Sequence, residues 1–128
     1  MQPGDEIPTV TVTPDKYLTV RYAGASGDFN PIHIDDEFAK SVGLPRNILH
    51  GLYTMGLVAK ANAVALASGD PRALKRLSVQ MRGMGMPEQE IVVSGTVKSV
   101  DGNRVVVDTV AAQGETQIIK NAEAELEL

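Results

Sequence analysis

A stretch of small residues in the middle of the chain limits the possible folds most strongly. Residues 51–67, GLYTMGLVAKANAVALA, put apolar side chains at helical spacing, and glycine and alanine keep most of the surface small. A helix with so few large side chains is typical of one that other elements enclose. The run Ser68-Gly69-Asp70-Pro71 ends it. The sequence therefore predicts one long central helix that the rest of the protein wraps.

After this helix the apolar residues recur with a period of two, which is typical of strands. The alternation predicts four strands, over residues 74–82, 91–100, 104–112 and 116–128. Asp101-Gly102-Asn103 is a typical hairpin turn, and Gln113-Gly114-Glu115 is a second turn. An antiparallel meander around one helix is an α+β fold. Residues 1–128 are expected to form a single domain, because ~100–150 residues is the commonest domain size.

The amino-terminal part of the chain is predicted to contain shorter helices. Thr13 is followed by a first-turn proline and is predicted to cap a helix that runs to about Gly24. The glycines, Asn30 and proline of residues 24–31 predict a loop. Asp35 is expected to cap a short helix that ends near Val42.

The composition excludes several kinds of chemistry. The 128 residues include no cysteine and only two histidines, His33 and His50. The chain therefore has no disulfide framework, thiolate nucleophile or Cys-ligated zinc, and it cannot build a three-His metal site. We expect no metal centre. A formal net charge of −4 argues against general nucleic-acid binding.

The sequence carries no recognisable signal for export or membrane insertion. The first residues, MQPGDEIPTVTV, lack the basic start and apolar core of a signal peptide. The longest uninterrupted apolar run, residues 63–67, is far shorter than the ~20 residues that a membrane helix needs. The sequence therefore predicts a cytoplasmic protein with no membrane partner.

The segment SGDFNPIH, residues 26–33, carries an acid and an imidazole five residues apart. Loops on a rigid scaffold are common positions for catalytic groups. A carboxylate and an imidazole that converge can hold one water, with one group acting as base and the other as acid. On spacing alone, the alternative is that Asp28 caps its own turn and His33 is a packed surface side chain.

The segment Ile48-Leu49-His50-Gly51 stands where the long helix begins. A helix N-terminus offers unpaired N–H groups and the positive end of the helix dipole. Glycine lets a ligand oxygen approach the main chain closely, which suits a carbonyl that acquires negative charge. By itself, this segment is explained more simply as a plain helix start in which His50 is a satisfied polar residue.

Together, these segments resemble the hydratase-2 motif of a known family. The run YAGASGDFNPIHID, residues 22–35, is followed by Ala39, Gly43, the ILHG segment 48–51 and Gly56. The arrangement is similar to that of MaoC-like dehydratases, which include (R)-specific enoyl-CoA hydratases and 3-hydroxyacyl-thioester dehydratases. Within the family, the resemblance is strongest to the catalytic B-type subunit of the actinobacterial 3-hydroxyacyl-carrier-protein dehydratase. The resemblance covers nearly the whole chain.

The resemblance implies a hotdog fold, in which an antiparallel sheet wraps one long helix. It implies a hydro-lyase that interconverts (R)-3-hydroxyacyl and trans-2-enoyl thioesters by loss or addition of water. Asp28 and His33 are the implied acid–base pair, and Ser26 and Asn30 are the implied supports of their loop.

The resemblance also implies how the substrate is held. The main-chain amide of Gly51 is implied to bind the thioester carbonyl oxygen, with His50 beside it as a supporting residue. No cofactor is implied beyond the coenzyme A or acyl carrier protein that carries the substrate. The family builds its site at an interface between two subunits, so a homodimer, or a heterodimer with a second hotdog subunit, is expected.

Three features near these motifs bear on substrate choice. Gln89-Glu90 stands where relatives tend to have Gly-Asp after a proline bend, and Arg46-Asn47 is more polar than the family pattern. The first departure is expected to affect substrate choice more than the reaction, and the second is expected to alter the approach to the site. Met81, Met84 and Met86 predict either a pliable wall for the acyl chain or ordinary packing.

Basic residues cluster between positions 72 and 82. Among them, Arg76 and Arg82 are predicted to contact the phosphates of coenzyme A or an acidic carrier protein. The alternative is a solvated basic face.

Two classes of function follow from these patterns. The first is an enzyme that hydrates or dehydrates acyl thioesters. The second is a non-catalytic hotdog subunit that stabilises a partner dehydratase or binds an acyl chain. The presence of both Asp28 and His33 favours the enzyme, because a structural subunit has no need of the pair.

Overall fold

Five antiparallel strands form one sheet, and the longest helix packs against it. The computed structural model describes residues 1–128. The strands are β1 (Val10–Val12), β2 (Leu74–Met81), β3 (Ile91–Asp101), β4 (Arg104–Gln113) and β5 (Thr116–Glu127), and the helices are α1 (Leu18–Ser26), α2 (Pro31–Ile34), α3 (Asp36–Ser41) and α4 (Gly51–Ala67). Across the sheet the order is β1-β3-β4-β5-β2, so β1 and β2 are the edges. None of the helices combines the length and the apolar character needed to cross a membrane.

This arrangement confirms the predicted α+β hotdog fold. Helix α4 has the bounds predicted from its sequence, and β2 to β5 match the four predicted strands to within one residue or so at each end. Asp35 caps α3 as predicted, because its carboxylate accepts a hydrogen bond from the N–H of Phe38 at 3.1 Å. These elements are local in origin, since each follows from periodicity or capping within a short segment.

The start of the first helix differs from the prediction. Thr13 does not cap it. Instead, the carboxylate of Asp15 accepts a hydrogen bond from the N–H of Tyr17 at 2.8 Å, and α1 begins at Leu18. The predicted start is wrong because this side-chain bond holds a turn just before the helix, so Asp15 remains outside it.

The end of this helix also differs from the prediction. Gly24 is helical, and α1 continues to Ser26. Gly27 ends it, with a left-handed φ of 80° and its N–H bonded to the carbonyl of Ala23. The observed loop is therefore shorter than the predicted one, because only residues 27–30 connect α1 to α2.

Helix α4 is buried on one side only. Its buried residues are Thr54, Val58, Ala61, Asn62 and Ala63. Elsewhere on the helix, Leu52 is 64% exposed and Val64 is 53% exposed. The prediction that other elements enclose the whole helix is therefore wrong for a single chain, because a sheet on one side leaves the opposite side uncovered.

The apolar core lies between α4 and the inner face of the sheet and has two parts. Alternate residues of the strands supply it, as their period of two requires. One cluster comprises Leu49, Val58, Ala61, Ile91, Val93, Ala111, Ile118, Ile119 and Ala122. The other comprises Ile7, Val97, Val105, Val107, Ala124 and Leu126. The first cluster lies beside the N-terminal half of α4 and supports the site described below.

Substitution in the first cluster should destabilise the protein strongly. Ile91 is completely buried, whereas the side chain of the next residue, Val92, points to the other face of β3. We expect Ile91→Ala to lower the free energy of unfolding by about 2–5 kcal/mol, because it leaves a cavity. Val92→Ala should cost about 1 kcal/mol or less. Urea unfolding of both variants measures the difference, and equal losses would contradict this description of the core.

Candidate active site

The loop that carries Asp28 is held by three consecutive hydrogen bonds that main-chain N–H groups donate to side-chain oxygens. The Oγ of Ser26 accepts from the N–H of Asp28 at 3.1 Å, and Asp28 Oδ1 accepts from the N–H of Asn30 at 3.1 Å. Asn30 Oδ1 then accepts from the N–H of Ile32 at 3.2 Å and so caps α2. Ser26 and Asn30 therefore brace the loop from either side of Asp28, and Asp28 also stabilises its own turn.

His33 lies on α2 with one ring nitrogen held by the main chain. Its Nδ1 is 2.9 Å from the carbonyl oxygen of Ile48. Because a carbonyl oxygen only accepts, the proton of the neutral ring is on Nδ1, and Nε2 carries a lone pair. This Nε2 lies 3.9 Å from Oδ2 of Asp28. The structure thus brings together the two residues of the predicted acid–base pair.

The two members of this pair differ in their exposure to solvent. The side chain of His33 is 10% exposed, whereas that of Asp28 is 52% exposed. Their separation is too long for a direct hydrogen bond, but one oxygen atom fits about 2.8 Å from both. The geometry is therefore suited to holding a water molecule or a hydroxyl group between a carboxylate and an imidazole.

His50 lies behind the pair and is 1% exposed. Its Nε2 donates to the main-chain carbonyl oxygen of Asp28 at 3.0 Å, and its Nδ1 is buried without a partner. Its ring stacks on that of His33, with centroids 4.0 Å apart, and the ring of Tyr22 lies 4.6 Å away at a tilt of 51°. His50 therefore supports the loop and the imidazole from inside the protein.

Asn47 is a site residue whose role was not anticipated from the sequence. Its Nδ2 donates to the carbonyl oxygen of His33 at 3.0 Å, and its own N–H donates to Oδ1 of Asp36 at 3.1 Å. The ion pair with Lys40, together with this N–H, keeps the pKa of the Asp36 carboxyl below its usual range. Arg46 and Asn47 were expected to change the approach to the site. Asn47 instead points inward and is 8% exposed.

In the sequence, the only sign that Asn47 has a special role was the polar character of Arg46-Asn47. Arg46 forms an ion pair with Glu88 at 3.2 Å, and its Nη2 lies 3.4 Å from Oδ1 of Asn47. This ion pair between Arg46 and Glu88 links the segment before α4 to the turn that precedes Gln89-Glu90.

Gly51 is the first residue of α4, and no acceptor in the chain binds its main-chain N–H. A Cβ atom at this position would lie 2.7 Å from Sδ of Met81. The absence of a side chain therefore allows the methionine to pack directly against the start of the helix. The free N–H lies at the positive end of a 17-residue helix, where negative charge is stabilised.

A cavity of about 180 Å³ lies between His33 and Gly51. His33, Gly51 and Thr54 line it together with Met81 and Met84, which are 49% and 44% exposed. Met86 is not among its walls. Two of the three predicted methionines thus form an apolar, partly open wall beside the pair. A larger polar depression of about 610 Å³ lies over the outer face of the sheet and contains none of these residues.

The two arginines predicted to contact a substrate carrier lie outside this cavity. Arg82 stands between the cavity-lining residues Met81 and Gly83, and its side chain contacts Gln80. Arg76 lies 3.9 Å from Glu125 across the β2–β5 pair. Arg82 is therefore close to the edge of the cavity, while Arg76 faces a carboxylate on the sheet.

Asp28, His33 and His50 are the residues that come closest to a metal site, with ligand atoms within 4.8 Å of one another. The two imidazole rings are nearly parallel, with 23° between their planes. Their in-plane lone pairs therefore run side by side instead of meeting at one point. Each ring also uses one nitrogen to bind a main-chain carbonyl. For one metal ion to bind both imidazoles, one of the rings would have to rotate out of this stack.

The site geometry can be compared with known proteins. The family model described as "MaoC like domain" matches residues 2–120. The chain belongs to this MaoC-like family. The match spans both the loop of Asp28 and the start of α4, and it confirms the resemblance inferred from the motif.

The relatives of this MaoC-like chain are mostly longer proteins. Peroxisomal enoyl-CoA hydratase 2 of Arabidopsis thaliana is 42% identical over 84 residues, which are 66% of this chain and 26% of that protein. A solved MaoC-like dehydratase is 34% identical, with a TM-score of 0.93 over 100% of this chain and 41% of that chain. The chain therefore spans less than half the length of these two relatives.

One solved structure of similar length shows the same fold. It belongs to the ChsH1–ChsH2 complex of Mycobacterium tuberculosis, with a TM-score of 0.88 at 21% identity. The alignment covers 98% of this chain and 97% of that chain. A hotdog unit of this size therefore occurs in a complex of two different components.

Loss of the Asn30 cap should loosen the short helix that carries His33. We expect Asn30→Ala to lower the free energy of unfolding by about 0.5–2 kcal/mol, because the N–H of Ile32 loses its acceptor. Asn30→Ser retains a capping oxygen and should remain close to the wild type. Thermal unfolding of the two variants makes the comparison, and equal stability of Asn30→Ala and the wild type would contradict a capping role.

Proposed function

We propose that this chain catalyses the reversible conversion of an (R)-3-hydroxyacyl thioester to a trans-2-enoyl thioester and water. The observation that carries the proposal is the 3.9 Å separation of the Asp28 carboxylate and the His33 imidazole beside one cavity. Membership of the MaoC-like family and the similarity to a plant enoyl-CoA hydratase 2 support it.

The acid–base pair accounts for both proton transfers. In hydration, a water held between Asp28 and His33 adds its oxygen to C3 of the enoyl thioester. One member of the pair accepts a proton from this water, and the other, which starts protonated, donates a proton to C2. The pair therefore begins and ends with one shared proton, so the reaction needs no other acid or base. Dehydration follows the same steps in reverse.

The N–H of Gly51 supplies the third element of the mechanism. When C3 is attacked, negative charge moves through C2 to the thioester oxygen. A main-chain donor at a helix N-terminus stabilises this enolate charge. The lack of any acceptor for this N–H within the chain supports the role.

The likeness to an enoyl-CoA hydratase favours coenzyme A as the carrier, with acyl carrier protein as the alternative. Met81 and Met84 are proposed to form the wall for the acyl chain, because flexible thioethers adapt to irregular apolar groups. Arg82, at the edge of the cavity, is the better candidate for a carrier contact, whereas Arg76 already has a carboxylate nearby. No cofactor takes part in the proposed reaction.

A second hotdog subunit is the proposed partner. The exposed apolar residue Val64 of α4 borders a groove of about 480 Å³ that extends to Leu74 on the edge strand β2. Covering this face and pairing the open edge would bury surface that a single chain leaves unpartnered. Both a homodimer and a heterodimer fit this face. A single domain over residues 1–128 and a cytoplasmic location stay predictions.

Hydration of crotonyl-CoA tests the proposed pair. Loss of the conjugated double bond is followed by ultraviolet absorbance. We expect Asp28→Asn and His33→Gln each to lower turnover by about 10²–10⁴-fold, because each removes one proton-transfer group. Asp108→Asn, which changes an exposed carboxylate of β4, is the matched control and should keep wild-type turnover.

Near-wild-type turnover of Asp28→Asn would contradict the mechanism. The wild-type chain alone should also be tested with 2-enoyl thioesters of increasing length. Activity at any length rejects an obligate heterodimer. If the chain hydrates none of them, an obligate heterodimer is favoured, or the alternative function of a non-catalytic hotdog subunit.

A further inference from the structure

Both members of the acid–base pair have main-chain carbonyls that accept a hydrogen bond from a buried side chain. Asn47 Nδ2 donates to the carbonyl of His33, and His50 Nε2 donates to the carbonyl of Asp28, each at 3.0 Å. Asn47 and His50 are at least nine-tenths buried, and neither lines the cavity beside Gly51. They are thus arranged to hold the pair and not to touch a substrate.

We propose that Asn47 and His50 are positioning residues that fix the location of the acid–base pair relative to the main-chain amide of Gly51. The inference rests on the proposed hydration chemistry and deepens it. Without these donors, the groups that move protons and the group that stabilises the thioester oxygen would be free to shift relative to one another.

The elements that carry the pair cannot hold this geometry by themselves. Asp28 lies in the four-residue connection 27–30, and His33 lies on α2, which has four residues. A single helical turn is not stable in isolation, because forming the first turn orders several residues for one hydrogen bond. The hydrogen bonds within the loop set its local shape but do not fix its position relative to α4. Contacts with residues outside the loop must fix that position.

One short segment supplies these contacts. Between the two donors, Ile48 donates its N–H to the carbonyl of Ile32 at 3.0 Å and accepts from Nδ1 of His33 at 2.9 Å. The same segment continues directly into Gly51, the first residue of α4. Residues 47–50 therefore bind both halves of the pair and are covalently joined to the proposed thioester-binding amide. A misplacement of about 1 Å in such an arrangement can cost ~10²-fold in rate.

The identity of His50 follows from its surroundings. Its ring lies against those of His33 and Tyr22, so a planar side chain fits there. The bond to the carbonyl of Asp28 requires the proton on Nε2, and the buried Nδ1 has no partner. A charged ring would bury a second N–H without an acceptor, which is costly.

Asn47 is itself held in place by charged residues. Its Oδ1 faces Nη2 of Arg46 at 3.4 Å, and its N–H donates to Asp36 at 3.1 Å. Arg46 is paired in turn with Glu88. The amide orientation that directs Nδ2 toward His33 is thus determined by neighbours on both sides, and this is the orientation that positioning requires.

Steady-state kinetics on 2-enoyl-CoA tests the proposal. Asn47→Asp keeps the shape of the side chain but removes the donor, and His50→Phe keeps a planar ring but removes the N–H. We expect each to lower kcat by about 10–100-fold and to change KM by less than about 3-fold, because neither residue lines the cavity. His50→Gln retains an N–H donor and should recover at least part of the loss. Asn103→Asp, in the turn between β3 and β4, is the control and should match the wild type.

The outcomes separate this inference from the proposed function. If the wild type hydrates the substrate and Asn47→Asp and His50→Phe keep its kcat, the positioning role is wrong while the proposed function stands. A loss expressed only in KM also overturns the positioning role. If the wild type has no activity, the proposed function fails for the chain without a different partner subunit.

Nitrogen-15 NMR of the imidazoles gives a second test that needs no activity. The chain has only two histidines, so single substitutions assign their signals. In mildly alkaline buffer, we expect opposite neutral tautomers, with His33 protonated on Nδ1 and His50 on Nε2. In Asn47→Asp, the Nδ1 resonance of His33 should shift as its bond to Ile48 changes. A His50 ring protonated on Nδ1 would overturn the proposal without reference to the folding of any variant.

Discussion

The packing of α4 on the sheet is the interaction on which the rest of the structure depends. The helix presents small and β-branched side chains to the strands, including Val58 and Ala61, and they meet a face supplied by alternate strand residues such as Ile91. This contact is apolar and extensive, so it sets the position of the helix firmly. Because α4 begins at Gly51, the same contact determines where an unpaired N–H meets the cavity. The position of the site is thus determined by the packing of the core.

The proposed acid–base pair, Asp28 and His33, is attached to this core by hydrogen bonds and not by apolar packing. Asp28 and His33 lie on short elements with little buried surface of their own. Residues 47–50 connect them to α4 through side-chain donors and one main-chain carbonyl. Directional bonds suit this task, because they define orientation as well as position. The half-exposed carboxylate and the buried imidazole are consequently held at a separation that accommodates one water.

Much of this arrangement could be predicted from the sequence, since local patterns determine it. The bounds of α4 and of the long strands follow from periodicity, and the motifs around Asp28 and at the start of α4 indicated the family. The start of α1 could not be predicted from Thr13, because an Asx turn at Asp15 competed with it. The exposed side of α4 was also missed. A run of small residues indicates that a helix is packed closely but not how many of its sides are covered, or by which chain.

The sequence by itself determined which elements form and which chemical groups are available, because helices, strands, turns and caps depend on near neighbours. Only the tertiary structure decided how those groups meet. The bonds that hold the pair join residues 14 and 22 positions apart in the chain. Such contacts also leave Nε2 of His33 without a hydrogen-bond partner and place His50 behind Asp28 and His33, outside the lining of the cavity. The physical reason is that a hydrogen bond of this kind requires two distant segments to be brought together, and the burial of the core is what brings them there.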